Sequence, residues 1–209
     1  MSLFITIEGP EGSGKTTAAN LLCEYLEKEG YEVVHTREPG GSEIAEQIRN
    51  IILDKKNTSM DARTEALLFA ASRRQHLIEK VIPALKENKI VICDRFIDSS
   101  LAYQGKGRNL GIQNIYDINL FATDGLLPDL TLLFDIDVEK GLARVFKDKN
   151  REVNRLDVAA VNFHKLVREG YLEVAKNNPN RIKIIDASQG VNEVFNDVKE
   201  VVTKCLKNI

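Results

Sequence analysis

The sequence has few of the residues that build disulfide frameworks or metal clusters. Its 209 residues include only three cysteines and three histidines. Cys23, Cys93 and Cys205 are odd in number, widely separated and set among apolar residues, and the histidines lack the spacing of metal ligands. We therefore expect reduced core thiols rather than disulfides, and histidines that are structural or solvent-exposed.

The sequence also lacks a charge excess and a long apolar run. Lys and Arg number 29 against 31 Asp and Glu, so no overall basic field favours nucleic acid or an anionic membrane. No apolar segment approaches the length of a membrane span, and the first residues enter a strand pattern without signal-peptide features. We expect a cytoplasmic protein that binds neither nucleic acid nor membrane.

Apolar, β-branched runs alternate with segments of helical periodicity. The runs are LFITIE (3–8), YEVVHT (31–36), KIVICD (89–94), DLTLLFDI (129–136) and RIKIID (181–186). Helices are expected at about 15–29, 42–53, from about 61 to Pro83, which kinks or interrupts the helix, and near 112–123, 138–147, 157–176 and 191–206. This alternation is typical of βαβ units and of a parallel sheet covered on both faces. Without repeats, low-complexity tracts or linkers, a single α/β domain over residues 1–209 is the simplest expectation.

The stretch GPEGSGKT, residues 9–16, fits the phosphate-binding motif G-x-x-x-x-G-K-[ST] completely. Glycines have no side chain, so the backbone can come close to a neighbouring group. The N–H groups of such a turn form an anion-binding cradle at a helix N-terminus. Lys15 can reach the outer phosphates and should be solvent-accessible, while the Thr16 hydroxyl can bind Mg²⁺. The alternative is an ordinary Gly-rich turn, but the motif stands between a strand and a helix, which is its confirming context.

Charged residues follow three of the predicted strands. They lie in TREPGG (36–41), DRFIDSSLAYQG (94–105) and DID (135–137). Ligands of open α/β sheets lie outside the carboxyl ends of the strands. Asp94 can bind Mg²⁺ through water or orient an attacking oxygen, and Arg95 offers a planar fork for a phosphate. A simple Asp94–Arg95 pair is the alternative, but it explains neither the lysine loop nor the further arginines Arg49 and Arg73.

Other P-loop classes fit less well. A GTPase switch would show D-x-x-G and [NT]-K-x-D motifs, and neither occurs in the sequence. An ATPase commonly places a glutamate beside the strand-end aspartate, whereas Arg95 follows Asp94 here and suits a second phosphate-bearing substrate. The basic segment ARVFKDKNREVNR (143–155) alone resembles a solvated helix face, but beside a phosphate loop it is a candidate lid. The pattern predicts transfer of a phosphoryl group between two anionic substrates.

Four motifs in fixed order resemble those of the thymidylate kinases over essentially the whole chain. They are EGPEGSGKTT, TREPGG, LLFAASRRQHL and DRFIDSSLAYQG, followed by a basic segment that ends in NRLD. The resemblance implies a P-loop kinase fold with a five-stranded parallel sheet flanked by helices, a short basic lid at about 143–156, and a homodimer. It implies Mg²⁺-dependent transfer of the γ-phosphoryl group of ATP to dTMP. A kinase of another nucleoside monophosphate and a P-loop ATPase or switch remain as alternatives.

The resemblance also implies residue roles. The ATP site comprises Gly9, Pro10, Glu11, Gly12, Ser13, Gly14, Lys15, Thr16 and Thr17. The dTMP site comprises Glu11, Glu38, Arg49, Phe69, Arg73, Arg95, Ser100, Tyr103 and Gln104. Mg²⁺ is assigned to Thr16 and Asp94, and catalysis to Lys15, Arg95 and the lid arginines Arg144, Arg151 and Arg155.

Some of these roles compete with simpler interpretations. Phe69 and Arg73 are implied to stack on thymine and read its edge, whereas periodicity alone favours a core Phe and a surface Arg. Glu11 is implied to hold the 3′-hydroxyl of dTMP, and the alternative is a bond to the backbone of its own loop. Some family members carry Asp-Arg at the positions of Glu11 and Gly12. The catalytic arginine is therefore implied to come from the lid.

Overall fold

A five-stranded parallel sheet forms the centre of the protein. The computed structural model describes residues 2–147, 155–156 and 160–207. Within them the strands are β1 Leu3–Glu8, β2 Val33–Arg37, β3 Ile90–Asp94, β4 Leu130–Asp135 and β5 Ile182–Asp186. They lie in the order β2-β3-β1-β4-β5. Each strand overlaps its predicted run, so the predicted α/β fold with a five-stranded parallel sheet is confirmed.

Helices cover both faces of this sheet. They are α1 Lys15–Lys28, α2 Glu43–Leu53, α3 Ala62–His76, α4 Ile82–Lys86, α5 Ile97–Ser100, α6 Ile112–Thr123, α7 Val138–Lys147, α8 Val161–Asn177 and α9 Val191–Leu206. Two π-helical segments, Leu77–Val81 and Leu101–Gly107, follow α3 and α5. The predicted start of α8 at 157 lies outside the described residues.

The structure adds detail to the predicted helices at two places. The α-helix that begins at Ala62 is interrupted just before Pro83 by the wide turn Leu77–Val81, and the helical backbone then continues through Pro83, in the first turn of α4, to Lys86. Proline is tolerated there since first-turn N–H groups need no intrahelical partner. The stretch from Ile97 to Gly107 is helical, although the sequence pattern did not predict a helix there.

The alternation of side chains along β1 places successive residues in two separate cores. Leu3, Ile5 and Ile7 pack on the side of α1 and α9. Phe4 packs on the opposite side, which α3 to α6 and α8 cover. Because side chains alternate with a period of two, Glu8 shares the Phe4 side and is fully buried there. An ionisable residue thus enters the core next to the phosphate loop.

The register of the sheet brings the predicted site segments together. Asp94 pairs with Ile7 of β1 and with Arg37 of β2, so the segments after β1, β2 and β3 leave from one edge. Gly12 has a φ of 71°, and a Cβ atom there would clash with the carbonyl of Gly141 in α7. The close approach that this glycine permits is therefore to the protein's own backbone.

The cysteines are free thiols, and Cys23 and Cys93 are buried while Cys205 is half-buried. In the parts of the chain that the structure describes, no helix combines the length and the apolarity needed to cross a membrane.

Candidate active site

A cavity of about 210 Å³ opens at the carboxyl ends of β1, β2 and β3. All nine residues predicted to bind dTMP line it: Glu11, Glu38, Arg49, Phe69, Arg73, Arg95, Ser100, Tyr103 and Gln104. Thr16 and Asp94 line the same cavity. The wall also includes residues that the sequence did not single out: Arg37, Pro39, Leu53, Ser99 and Leu156. The structure thus brings the whole predicted acceptor set to one place.

The phosphate loop encloses its own lysine. Lys15 Nζ donates to Gly9 O at 2.9 Å and to Pro10 O at 2.8 Å, and Lys15 is only 6% exposed. The prediction that Lys15 is solvent-accessible is therefore wrong. An ammonium group has three donors and no acceptor, so it turns toward the carbonyls that a Gly-rich turn presents.

Thr16 and Asp94 meet at the edge of the cavity. Thr16 Oγ1 donates to Asp94 Oδ2 at 3.0 Å. Asp94 Oδ1 is buried and has no hydrogen-bond partner within the described residues, although Arg95 Nη1 lies 3.6 Å away. A hydroxyl and an unsatisfied carboxylate oxygen are the hard oxygen ligands that Mg²⁺ prefers. The residues present therefore fit the ion that the family resemblance implies.

Glu11 is held from the cavity side by two side chains. Arg95 Nη2 and the Tyr103 hydroxyl both donate to Glu11 Oε1, the latter at 2.8 Å. Burial raises the pKa of Tyr103 well above its usual value, and the charge of Glu11 raises it further, so the phenol keeps its proton and donates. Arg95 itself has a φ of 68°, a backbone conformation uncommon outside glycine, and its N–H donates to Ile7 O at 2.9 Å.

Arg73 lies in the interior and is only 1% exposed. Its Nε donates to Glu38 Oε2 at 2.7 Å, and its Nη1 donates to Ser100 Oγ at 3.1 Å and to Asn119 Oδ1. Its guanidinium lies 5.0 Å from the centroid of the Phe96 ring. The alternative of a surface arginine is therefore wrong. No motif or spacing indicated Asn119, which reaches Arg73 from α6.

Comparison with known proteins agrees with this geometry. The family model for thymidylate kinase matches residues 7–198. The chain belongs to the thymidylate kinase family. It is 61% identical over 196 residues to a thymidylate kinase of Clostridium novyi (strain NT), covering 94% of this chain and 96% of the relative. It is 54% identical over 205 residues to one of Bacillus pumilus (strain SAFR-032), covering 98% and 97%.

Similarity to a solved structure supports the same assignment. The crystal structure of thymidylate kinase from Ehrlichia chaffeensis superposes with a TM-score of 0.78 at 39% identity, covering 97% of this chain and 98% of that one. The family predicted from the four sequence motifs is confirmed, and so is the fold expected for a thymidylate kinase.

The arginines predicted for the lid of this thymidylate kinase family member lie in different places. Arg144 Nη1 donates to Ala187 O at 3.1 Å, and Arg144 lines a second cavity of about 320 Å³ with Ser13 and Thr17 of the phosphate loop and helix. Arg155 Nη2 instead donates to Glu65 at 2.6 Å on the acceptor side. Arg151 lies outside the described residues, as does half of the predicted lid segment, residues 148–154.

Glu65 connects that arginine to the acceptor cavity. It is 1% exposed and accepts hydrogen bonds from Gln104 at 2.8 Å and from Arg108 at 3.1 Å, in addition to Arg155. Burial raises the pKa of Glu65, but the hydrogen bonds from these partners outweigh it, and the pKa lies below its usual value. An ionised carboxylate thus holds Gln104 in the wall of the cavity.

Glu8 forms a second buried carboxylate site, beneath the loop. It accepts hydrogen bonds from Phe96 N–H at 2.7 Å, from Ser99 Oγ at 2.5 Å and from Tyr171 Oη at 3.2 Å. Burial raises its pKa, the neighbouring carboxylate of Asp98 raises it further, and the bonds from Ser99 and Phe96 lower it, with a result of about 7. Period-two alternation along β1 was a signal that could have identified Glu8 as buried.

Proposed function

We propose that this protein is a thymidylate kinase that transfers the γ-phosphoryl group of ATP to dTMP, giving dTDP and ADP. One observation carries the proposal: a cavity lined by four arginines and the Phe69 ring adjoins a phosphate loop at the same sheet edge. This arrangement suits two phosphate-bearing substrates better than one nucleotide and a water molecule.

In the acceptor cavity, Arg95 and Arg49 are proposed to bind the dTMP phosphate. Arg49 Nη1 donates to Pro39 O at 2.7 Å, which fixes the arginine against the wall of the cavity. Phe69 would stack on the base, while Arg73, Ser100 and Gln104 would bond to its polar edge. Tyr103 would lie against the 2′ position of the sugar, and Glu11 would accept from the 3′-hydroxyl.

On the donor side, the phosphate loop is proposed to bind the phosphates of ATP. The second cavity, about 320 Å³, lies beside this loop and has Ala187 and Phe195 in its wall. We assign the nucleoside of ATP to it because it is partly apolar and borders the α1 N-terminus at Gly14 and Thr17. Arg144 lies between this space and the loop.

For the transfer itself, a phosphate oxygen of dTMP attacks the γ-phosphorus as the bond to the β–γ bridging oxygen breaks. The acceptor oxygen is already ionised, so no general base is needed, and catalysis rests on positioning and charge stabilisation. Arg95 orients the attacking phosphate, and Lys15 and a lid arginine stabilise charge on the transferred group. Mg²⁺, held by Thr16 and Asp94, would supply further neutralisation of the donor phosphates.

We also propose a homodimer formed through α3 and α6. Leu67 is 56% exposed and Phe121 is 90% exposed, and both border an open groove between these helices. An apolar patch of this kind marks an interface more often than a solvent surface. Phe121→Asp should therefore convert the dimer to a monomer in analytical ultracentrifugation. A wild-type monomer at micromolar concentration would contradict the proposal.

We also propose a cellular compartment and a domain organisation for this kinase. The free thiols favour a reducing, cytoplasmic compartment. The described residues form one sheet, which supports a single catalytic domain over the chain.

A panel of nucleoside monophosphates with Mg²⁺-ATP tests the proposed function. ADP release should depend on the acceptor and be fastest with dTMP. Release that does not depend on any acceptor would identify an ATPase instead. Faster turnover of another nucleoside monophosphate would identify a different kinase of the same fold.

A further inference from the structure

The imidazole of His76 lies completely buried behind the acceptor cavity. Its Nδ1 lies 2.9 Å from Glu38 Oε1, and its Nε2 lies 2.7 Å from Thr36 Oγ1. A carboxylate can only accept, so Nδ1 donates to Glu38, while the Thr36 hydroxyl can serve Nε2 as donor or acceptor. Both ring nitrogens therefore have defined partners, and neither contacts the cavity.

Glu38 transmits the position of this ring to Arg73. While Oε1 accepts from His76, Oε2 accepts from Arg73 Nε at 2.7 Å. A chain of three hydrogen bonds thus runs from Thr36 at the end of β2 to the guanidinium in the cavity wall. Rotation of the Glu38 carboxylate would break the bond at one of its ends, so His76 fixes the orientation in which Glu38 receives Arg73.

The segment after β2 leaves the imidazole little freedom. Gly41 has a φ of 90°, and a Cβ atom there would lie 2.5 Å from His76 Cδ2. The glycine in TREPGG therefore makes room for the ring. The motif and His76 fit together as one unit, although His76 comes from α3.

A metal site is the competing interpretation of this cluster. Ligand atoms of Glu38, His76 and Cys93 lie within 4.8 Å of one another. However, His76 and Glu38 already bond to each other, and Cys93 Sγ donates to Arg95 O at 3.1 Å. Burial, reinforced by the charge of Glu38, raises the pKa of Cys93 well above its usual value, so the sulfur stays a thiol. The atoms that would ligate a metal already form hydrogen bonds within the protein.

We propose that His76 is a positioning residue for acceptor recognition, which acts through Glu38 to aim the Arg73 guanidinium at the base. The inference rests on the proposed function. Within the described residues, no acceptor bonds to Arg73 Nη2, and Arg73 lines the cavity. A guanidinium only donates hydrogen bonds. Arg73 would therefore favour a pyrimidine whose 4-oxo group accepts over one whose 4-amino group donates.

Three variants test the proposal. His76→Leu removes the donor to Glu38, and His76→Asn keeps an N–H donor near the place of Nδ1. His164→Leu serves as the matched control, because His164 is a buried histidine of α8 outside the cavity. For each variant we would measure kcat, the KM values for dTMP and ATP, and the ratio of kcat/KM for dTMP to that for dCMP.

His76→Leu should raise the KM for dTMP about tenfold and lower the dTMP-to-dCMP ratio by a similar factor, with the KM for ATP within about twofold. His76→Asn should restore most of both losses, and His164→Leu should change neither. In an Arg73→Ala background, His76→Leu should add almost nothing, since its effect passes through Arg73. If His76→Leu fails to fold, Thr36→Val is the substitute, since it keeps the imidazole and removes only its bond to Thr36. It should shift the KM for dTMP and the dTMP-to-dCMP ratio in the same directions by a smaller factor.

Several results would overturn the inference. A folded His76→Leu enzyme with unchanged dTMP KM and base preference would do so. If His76→Leu worsened the KM for dTMP, the KM for ATP and kcat to a similar extent, and His76→Asn did not rescue them, His76 would have a structural role only. A full effect of His76→Leu in the Arg73→Ala background would exclude action through Arg73. If the wild type did not phosphorylate dTMP, the proposed function would fail first, and that result is separate from any of these.

Discussion

Replacing Glu8 by glutamine should change how stability depends on pH while leaving the surrounding hydrogen bonds in place. The amide oxygen of glutamine can accept from Phe96 N–H, as Glu8 Oε1 does at 2.7 Å. The amide nitrogen can donate to the hydroxyls of Ser99 and Tyr171, which accept as readily as they donate. Glutamine therefore resembles protonated Glu8 in both shape and bonding.

The magnitude follows from the pKa of Glu8. Burial and the charge of Asp98 raise it from 4.5 in the unfolded chain to about 7 in the folded protein. A tenfold change in proton affinity corresponds to about 1.4 kcal/mol, so this difference amounts to about 3 kcal/mol. Between pH 4.5 and 7 the folded protein holds one more proton than the unfolded chain. Glu8 therefore lowers the free energy of unfolding as the pH rises through this window.

Urea unfolding followed by far-UV circular dichroism measures the effect, because the sequence contains no tryptophan. The free energy of unfolding of Glu8→Gln minus that of wild type should increase by about 3 kcal/mol from pH 4.5 to 7.5 and then level off. Glu29→Gln, at an exposed position, is the control and should show a flat difference. Protein concentration must be constant, since association shifts apparent stability. A Glu8→Gln difference that is independent of pH would refute the reasoning.

Three further predictions concern the site. Lys15→Ala should fold normally and lower kcat by at least about a hundredfold in the coupled ADP-release assay, since it removes charge stabilisation from the transferred group; near-normal turnover would contradict its catalytic role. Arg144→Ala should lower kcat by about tenfold or more, whereas Arg155→Ala should leave kcat within about threefold and lower the melting temperature, because Arg155 bonds to buried Glu65. The reverse order of these two effects on kcat would show that the guanidinium on Glu65 moves to the phosphates. Glu11→Ala should erase most of the wild-type preference for dTMP over its 3′-deoxy analogue, about tenfold or more, by making dTMP a poorer acceptor; a variant that kept the full preference would assign Glu11 to the loop alone.

The sheet and the phosphate loop could be predicted from the sequence because local patterns determine them. A run such as KIVICD has the β-branched, two-sided apolar character of a buried parallel strand, and β3 follows it from Ile90 to Asp94. The motif at residues 9–16 fixes glycine, lysine and threonine at set offsets. The helical path of Ile97–Gly107 was missed because a π-helical turn disrupts the 3.6-residue pattern that identifies helices.

Contacts between distant segments could not be predicted in the same way. Asn119 and Arg73 are 46 positions apart, and only the packing of α6 against α3 brings them together. Lys15 was expected to be solvent-accessible because it acts on the phosphates of a ligand, but the carbonyls of its own loop provide enough acceptors to bury it. His76 did carry a signal, since it lies three positions after Arg73 on one helix, where side chains share a face.

The contact between Gly12 and Gly141 limits the evolutionary routes open to this enzyme. We propose that the catalytic arginine comes from the lid, and its relocation to the phosphate loop would require a long side chain at position 12. That position has a left-handed backbone, and its Cβ direction leads into the Gly141 carbonyl, while a Cβ on Gly141 would meet the carbonyl of Glu11. Neither glycine can be replaced alone without displacing α7. This chain can therefore place an arginine at position 12 only by shifting α7 and changing the loop together, so the packing of two backbones, and not one substitution, separates it from such an arrangement.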